Sequence, residues 1–302
     1  MRRLLLVANP AASGFTASLH RDVVEILQGG YQVTPVWPDG PQQARAAAHD
    51  AATEGYDVVV GMGGDGVVHQ IANGLAGTTT ALGIVPAGTT NVLSRILRVP
   101  RKPRAAAESV AASLATRALP TIRLAYDGPD GPDSRLVTFA AGLGFDAEVI
   151  RESERSPLRK VGFGPLHYAR STAAVTKGYR RRLPTIRVEA AGRSADALAL
   201  IFQIHECFTY LGRRTLTLSP KGGPLAMSVR RVTIPRMIRL VAGAARGADL
   251  TRVRGVRLWR EFATLAARAE PSEWLEADGE LIGRVSTLTA TPNRDHLRVV
   301  AV

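Results

Sequence analysis

The first 125 residues alternate short aliphatic runs with helix-like stretches, and this rhythm constrains the fold more than any other feature. Strand-like runs stand at Leu4–Ala8, Gln32–Val36, Val58–Gly61, Ala81–Val85 and Thr121–Ala125. Helix-like segments lie near Thr16–Leu27, Gln42–Thr53, Val67–Leu75, Asn91–Leu97 and Ala105–Ala118. The runs are apolar without strict alternation, as strands covered on both faces must be. A three-layer α/β domain on a parallel sheet is therefore expected over residues 1–125.

Beyond Ala125 the texture changes. "DGPDGPD" (Asp127–Asp133) reads as a turn. Strand-like segments then follow one another at Leu136–Ala141, Thr185–Ala190, Leu198–Ile204, Leu216–Ser219, Ser228–Ile234, Gly255–Arg260, Leu281–Thr291 and Leu297–Val300. Only two helices interrupt them, near Leu166–Lys177 and Arg236–Arg246. Residues 126–302 are expected to form an antiparallel β-sandwich or barrel. A chain of 302 residues with 45% hydrophobic content can bury the cores of two such domains.

The formal net charge is +13, and the only lysines are Lys102, Lys160, Lys177 and Lys221, so arginine carries it. Part of that excess is compositional; the rest points to an anionic partner. Residues 151–182 hold nine Lys/Arg against Glu152 and Glu154, and 228–260 hold nine Arg against Asp249 alone. These are either solvated faces or a surface for anionic lipid headgroups. Nucleic acid is not expected, since aromatics are 5% and no aromatic RNA-binding signature is present. The single Cys207 excludes an internal disulfide, fits a reducing cytoplasm, and reads as a small buried residue. The opening "MRRLLLVANP" resembles a signal peptide only until Asn9-Pro10, and a buried first strand suits it better. No apolar run approaches the roughly 18 residues a membrane span needs. Any membrane contact is expected to be peripheral.

"VVVGMGGDGVVHQIANGL" (Val58–Leu75) contains G-x-G-x-x-G at Gly61, Gly63 and Gly66. A dinucleotide site also needs an acidic residue about 20 positions on. None occurs between Gly66 and Glu108. Asp65 moreover places a carboxylate where the helix N-terminus would meet a pyrophosphate. A phosphate cradle of Gly63, Gly64 and Gly66 accommodates that carboxylate if Mg²⁺ bridges it to a triphosphate. The plainer reading is a tight strand-to-helix turn with an Asp cap. Two further small-residue loops follow strands: "NPAASG" (Asn9–Gly14) and "PAGTTNVLSRIL" (Pro86–Leu97). All three leave strand C-termini of one parallel sheet, the edge where ligands bind in open α/β folds.

At these residues the chain resembles the diacylglycerol kinase catalytic-domain family, which includes bacterial lipid kinases and is related to the sphingosine kinases. The family pattern N-P-x-(x)-S/G-G, G-G-D-G-T-x-x-E-x-x-N-G-L and P-x-G-T-x-N-D-x-A-R stands here as "NPAASG", "GGDGVVHQIANGL" and "PAGTTNVLSR". Downstream, "AAGLGFDAEVI" (Ala140–Ile150), "LRKVGFGPLHY" (Leu158–Tyr168) and "EADGELIG" (Glu276–Gly283) continue the match. The resemblance implies a nucleotide-binding α/β domain followed by a β-rich lipid domain. It implies ATP contacts at Asn9, Pro10, Ser13, Gly14, Gly63, Gly64, Gly66, Val67, Gln70, Thr89 and Asn91, with Mg²⁺ of the nucleotide at Asp65. It implies Glu280 as the base for the lipid hydroxyl, closing over the cleft from the second domain. Asp146 is either a substrate residue or a turn cap, and Glu280 without the resemblance is an ordinary hairpin residue.

Departures qualify the match. Val67 and Gln70 replace a threonine and a glutamate, Asn91-Val92 replaces N-D, and "WPDGPQQ" stands where a threonine is common after strand 2. "PKGGPLAMSV" (Pro220–Val229) lacks the acids that hold a structural Mg²⁺ in bacterial relatives, so no such site is expected. His205, in "FQIHECF", is either a hydrogen-bonding substitute for a common asparagine or an ordinary strand histidine. His69 is expected on an exposed helix face. The leading expectation is a cytoplasmic, peripherally membrane-associated kinase transferring the γ-phosphate of Mg·ATP to a membrane lipid hydroxyl. A lipid- or nucleotide-binding protein with reduced catalysis and an NAD kinase are the alternatives. The oligomeric state is left open, a homodimer included.

Overall fold

The computed structural model describes residues 2–155, 164–293 and 296–302, with the side chains of 164–169 set aside. The chain forms two compact units, residues 1–121 with 293–302, and residues 122–292.

The first unit begins as β1 (Arg3–Ala8), α1 (Ala17–Gln28), β2 (Gln32–Val36), α2 (Pro41–Thr53), β3 (Val58–Gly63), α3 (Asp65–Gly74) and β4 (Ala81–Pro86). It continues as α4 (Val92–Ile96), α5 (Pro103–Ala112) and β5 (Thr116–Ala118). β3 and β4 are buried along their whole length, which is why their sequences do not alternate. Helix starts follow local chemistry. Thr16 caps α1 by accepting the Leu19 N–H at 3.1 Å, and prolines open α2 and α5, where the missing N–H costs nothing. α1 buries His20, Val23 and Leu27, one face at helical spacing. α3 lies close on α2 because Gly74 has no side chain: a Cβ there would come within 2.4 Å of the Arg45 carbonyl oxygen. The helix expected over Ala105–Ala118 ends at Ala112, and its last residues instead form strand β5.

The second unit contains β6 (Thr121–Gly128), β7 (Gly131–Val137), β8 (Ala140–Gly144), α6 (Phe145–Arg155), α7 (Gly164–Tyr179), β9 (Ile186–Ala190), β10 (Arg193–Ala197) and β11 (Ala199–Gln203). There follow β12 (Thr209–Leu211), β13 (Arg214–Leu216), β14 (Leu225–Val229), α8 (Ile234–Ala245), β15 (Val256–Arg260), β16 (Leu265–Ala277) and β17 (Glu280–Asn293). Ten strands join one antiparallel sheet in the order β15-β14-β11-β8-β16-β17-β6-β7, with β9 and β10 branching from β16. The branch arises because β16 shifts register between Arg268 and Glu273. Its first half pairs with β9 and its second with β8. β12 and β13 pair separately. The chain then returns to the first unit as β18 (Arg298–Val300), between β4 and β5.

Two boundary expectations change. Thr121–Ala125 belongs to β6, antiparallel to β7, rather than to the parallel sheet. Its burial alternates, the mark of a strand covered on one face. The position beside β4 goes to β18, which runs parallel to it, so Leu297–Val300 completes the first unit's sheet, although 126–302 was expected as one domain. The stretch Ala140–Ile150 is a strand that turns directly into α6 at Phe145, a helix the strand count had omitted. Ser228–Ile234 leaves its sheet at Val229, and α8 begins at Ile234. Most of "LRKVGFGPLHY" lies outside the described residues. No helix among the described residues is long and apolar enough to cross a membrane.

A buried ionic network braces α6 and α7 against β16. The Tyr179 hydroxyl donates to Glu148 at 2.6 Å. Arg182 donates to Glu273 at 2.6 Å, and Thr185 does the same at 2.6 Å. Burial, then the hydrogen bond to Glu148, pushes the Tyr179 hydroxyl far above its ordinary value, so it serves as a permanent donor. Glu273 is 1% exposed, and losing its arginine would strand a buried charge. Arg182→Met is expected to lower unfolding free energy by about 3 kcal/mol, measured by urea denaturation, with Arg182→Lys recovering part of the loss.

Candidate active site

Three loops at the C-terminal edge of the parallel sheet are knit together by their backbones. The loop after β1 is fixed by the Asn9 N–H, which donates to the Met62 carbonyl at 3.0 Å, and by the Gly14 N–H, which donates to the Ala87 carbonyl at 2.9 Å. The Asn9 side chain accepts from the Ala11 N–H at 2.9 Å, closing a local turn. Ser13 and Thr89 hydroxyls lie 3.3 Å apart and join the first loop to the third. Ala87 and Gly88 both donate to the Gly63 carbonyl, at 2.8 and 3.1 Å. Gly64 and Gly88 pack backbone to backbone: a Cβ on Gly88 would fall 2.4 Å from the Gly64 Cα.

Asp65 supplies the central tie. Its two carboxylate oxygens accept the N–H groups of Val92 and Leu93, at 3.0 and 3.2 Å. The carboxylate thus caps α4, an element distant in sequence, and binds the glycine loop to the Pro86–Leu97 loop. Asn91 enters α4 in the left-handed conformation at φ 48°. Its amide closes on Gly88, donating to the carbonyl at 2.7 Å and accepting from the N–H at 3.1 Å. Asparagine tolerates that backbone better than most residues and hydrogen-bonds locally.

The loop residues differ in what they can offer a ligand. Pro10, Ser13, Gly14 and Thr89 are exposed or nearly so, and Gly64, Gly66 and Gln70 are half-buried. Val67 is buried, and its Cγ1 occupies the space a Cβ on Gly63 would need, at 2.5 Å. What Val67 offers is its backbone N–H, in the first turn of α3, where such groups have no acceptor within the helix. These N–H groups and the helix dipole are oriented as a site for an anion requires. His69, expected on an exposed face, is buried, with Asn73 Nδ2 at 3.3 Å from its Nε2. The helix turns it toward the core because α3 is covered on most of its circumference.

The described residues assemble no group of three His, Cys, Asp or Glu side chains that could hold a metal. Both oxygens of Asp65 already accept N–H groups.

The second unit builds an acidic centre around the β16–β17 hairpin. Asp278 and Gly279 both have positive φ, 52° and 82°, the two-residue turn that Asp-Gly favours. The Asp278 carboxylate, 2% exposed, accepts from Thr138 N–H at 2.8 Å, Thr138 hydroxyl at 2.9 Å, Phe139 N–H at 2.9 Å and Ala140 N–H at 3.2 Å. His205 is half-buried and its Nε2 lies 2.8 Å from the Thr138 carbonyl oxygen, holding the same segment. Asp278 thereby fixes the turn that presents Glu280, half-buried at the start of β17.

Glu276 and Asp146 flank Gly142: a Cβ there would lie 3.0 Å from Glu276 Oε1 and 2.6 Å from Asp146 Oδ2. Burial first, then the Asp146 charge, pushes the Glu276 carboxyl well above its ordinary 4.5. Glu276 was not singled out in the sequence; it opens the EADGELIG match, but its burial beside Asp146 is a property of the fold. Asp146 also lines a narrow apolar cavity of about 80 Å³ between α6, α8 and the sheet, walled by Phe145, Ile201, Met227, Leu240 and Val241. A carboxylate at the wall of an apolar cavity suits a ligand with a polar head and a hydrocarbon body.

Two measurements check these assignments. Asp65→Ala is expected to lower stability by about 1–2 kcal/mol without any ligand, seen in thermal melts, because α4 loses its cap. Glu276 ionises near 4.5 when unfolded and only at higher pH when folded. Wild-type stability therefore falls as pH rises from about 4.5 through the raised native value. The stability of Glu276→Gln relative to wild type should rise with pH over that window and level off below it.

Comparison with known proteins places this architecture. Residues 3–120 match the diacylglycerol kinase catalytic domain. The diacylglycerol kinase of Bacillus subtilis (strain 168) is 32% identical over 106 residues, covering 34% of this chain and 35% of that protein. The diacylglycerol kinase of Staphylococcus aureus (strain NCTC 8325 / PS 47) is 29% identical over 103 residues, 33% of each. The match thus spans about a third of the length of these curated relatives. A diacylglycerol kinase crystal structure from Bacillus anthracis str. Sterne superposes with TM-score 0.71 at 15% identity, covering 99% of this chain and 96% of that one. A candidate diacylglycerol kinase structure from the same strain gives 0.76 at 17%, covering 99% and 95%. At such identities the structural likeness speaks for the two-domain fold alone. The likeness to the diacylglycerol kinase catalytic domain is thus carried by residues 3–120.

Proposed function

We propose that this protein is a lipid kinase that transfers the γ-phosphate of ATP to a hydroxyl of a membrane lipid. The observation that carries the reading is the knitted trio of loops at one sheet edge, with α3 opening its first-turn N–H groups there. The Gly63–Gly66 backbone takes the phosphates, and Asn9, Ser13, Gly14, Gln70, Thr89 and Asn91 border them. Asp65 acts first by holding the second and third loops in register. Mg²⁺ belongs to the nucleotide in this reading, where it neutralises phosphate charge, and no step requires a protein carboxylate to hold it.

Glu280 takes the proton from the lipid hydroxyl, and the Asp278 cradle positions it. Asp146 and Glu276 meet the polar head of the acceptor, while the apolar cavity receives hydrocarbon. The hydroxyl oxygen attacks the γ-phosphorus, its bond to ADP breaks, and the proton passes to Glu280. A binding protein of the same fold with little turnover is the second reading, favoured by Val67, Gln70 and Val92.

Incubation with labelled Mg·ATP and a total lipid extract, followed by product identification, tests the proposal. One or more phosphorylated lipids are expected, with diacylglycerol the first acceptor to try. Glu280→Gln should lower kcat by about 100-fold or more with little change in KM for ATP. Phosphorylation of NAD but of no lipid, or full activity in Glu280→Gln, would overturn this reading. Stabilisation by Mg·ATP without turnover on any acceptor would favour the binding protein.

A further inference from the structure

Helix α8 has two apolar faces, and only one is used. Leu240, Gly243 and Ala244 pack inward. Ile234, Ile238 and Val241 are 46%, 64% and 39% exposed. They stand at i, i+4 and i+7 and form one stripe. Single exposed aliphatic residues need no explanation, but three along one short helix do.

Beside the start of this helix is a recess of about 420 Å³ lined by Arg230, Arg231, Arg236 and Arg254 with Gly255. Arg236 Nη1 donates to the Arg231 carbonyl at 3.0 Å, tying the helix start to the preceding turn. Among the described residues none of the four arginines is ion-paired with a carboxylate. The one acid in this stretch, Asp249, spends its carboxylate on the Thr251 N–H and hydroxyl, at 3.0 and 2.7 Å. Four guanidinium groups around one recess repel each other unless an anion enters. Arginine's planar fork matches phosphate oxygens two at a time.

We infer that α8 and the arginine recess form one docking surface for an anionic phospholipid leaflet. The Ile234–Ile238–Val241 stripe enters the boundary between headgroups and acyl chains, as interfacial helices do. The recess takes headgroup phosphates. Val241 belongs to both the stripe and the wall of the apolar cavity that Asp146 lines, so docking sets that cavity beside the bilayer. The surface goes beyond the lipid-kinase reading and does not depend on phosphoryl transfer.

Flotation with vesicles, in the absence of nucleotide, tests it apart from the reaction. Wild type should bind phosphatidylcholine vesicles containing phosphatidylglycerol, bind pure phosphatidylcholine far more weakly, and lose binding as salt rises. Arg231→Gln with Arg254→Gln should weaken partitioning about 25-fold, near fivefold per arginine. Ile238→Asp should abolish binding while Ile238→Leu keeps it, and unchanged thermal melts would show both variants folded. Equal binding to neutral and anionic vesicles, or variants that partition like wild type, would overturn the inference. So would a dimer in vesicle-free solution that Ile238→Asp dissociates, which would make the stripe a self-interface. Preference for nucleic acid over anionic vesicles at matched salt would do the same.

Discussion

The N–H groups that open α4 need an acceptor, and the loop before them provides none. Asp65, in the glycine loop, meets that need with both oxygens. Much of the first unit's ligand-facing edge depends on this contact. It holds α4 in place, aligns the Pro86–Leu97 loop with the glycine loop, and lets Gly88 approach Gly64 so closely that a side chain at Gly88 would strike the Gly64 backbone. A carboxylate that would oppose phosphate at its own helix is useful because it is drawn toward another helix.

A parallel division of labour organises the second unit. Asp278 accepts hydrogen bonds from the Thr138–Ala140 segment, so its role is to hold the turn. Burial and the Asp146 charge push the Glu276 carboxyl well above its ordinary value. Glu280, two residues beyond Asp278, is left at the edge of the hairpin. Three acidic residues within five positions acquire three different characters from their surroundings, as coupled and buried carboxyls generally do.

Much of the fold was legible in the residues. Continuous apolar runs identified β1, β3 and β4, and the helix-like stretches Thr16–Leu27 and Gln42–Thr53 correspond to α1 and α2. Errors fell where local signals compete. Thr121–Ala125 looked like another parallel strand, although its alternation already indicated one-sided burial. The register shift of β16 falls around Pro271, which has no N–H for the ladder, but which strands pair with each half was decided by the fold. His69 was misplaced because its helix is buried on nearly every side, a property of its neighbours and not of its own sequence.

The candidate site divides along the same line. By itself the sequence determined the three small-residue loops, their place after parallel strands, the acid at Asp65 and the Asp-Gly turn before Glu280. Each follows from short-range rules of backbone freedom and turn chemistry. Only the tertiary structure decided that Asp65 caps a helix 27 residues away, that Glu276 and Asp146 flank Gly142 together, and that the stripe on α8 lies beside four arginines with no carboxylate partner among the described residues. These depend on which groups are brought together out of water. The strength and protonation of a charge follow from its distance to other charges and its loss of solvent, and a linear sequence specifies neither.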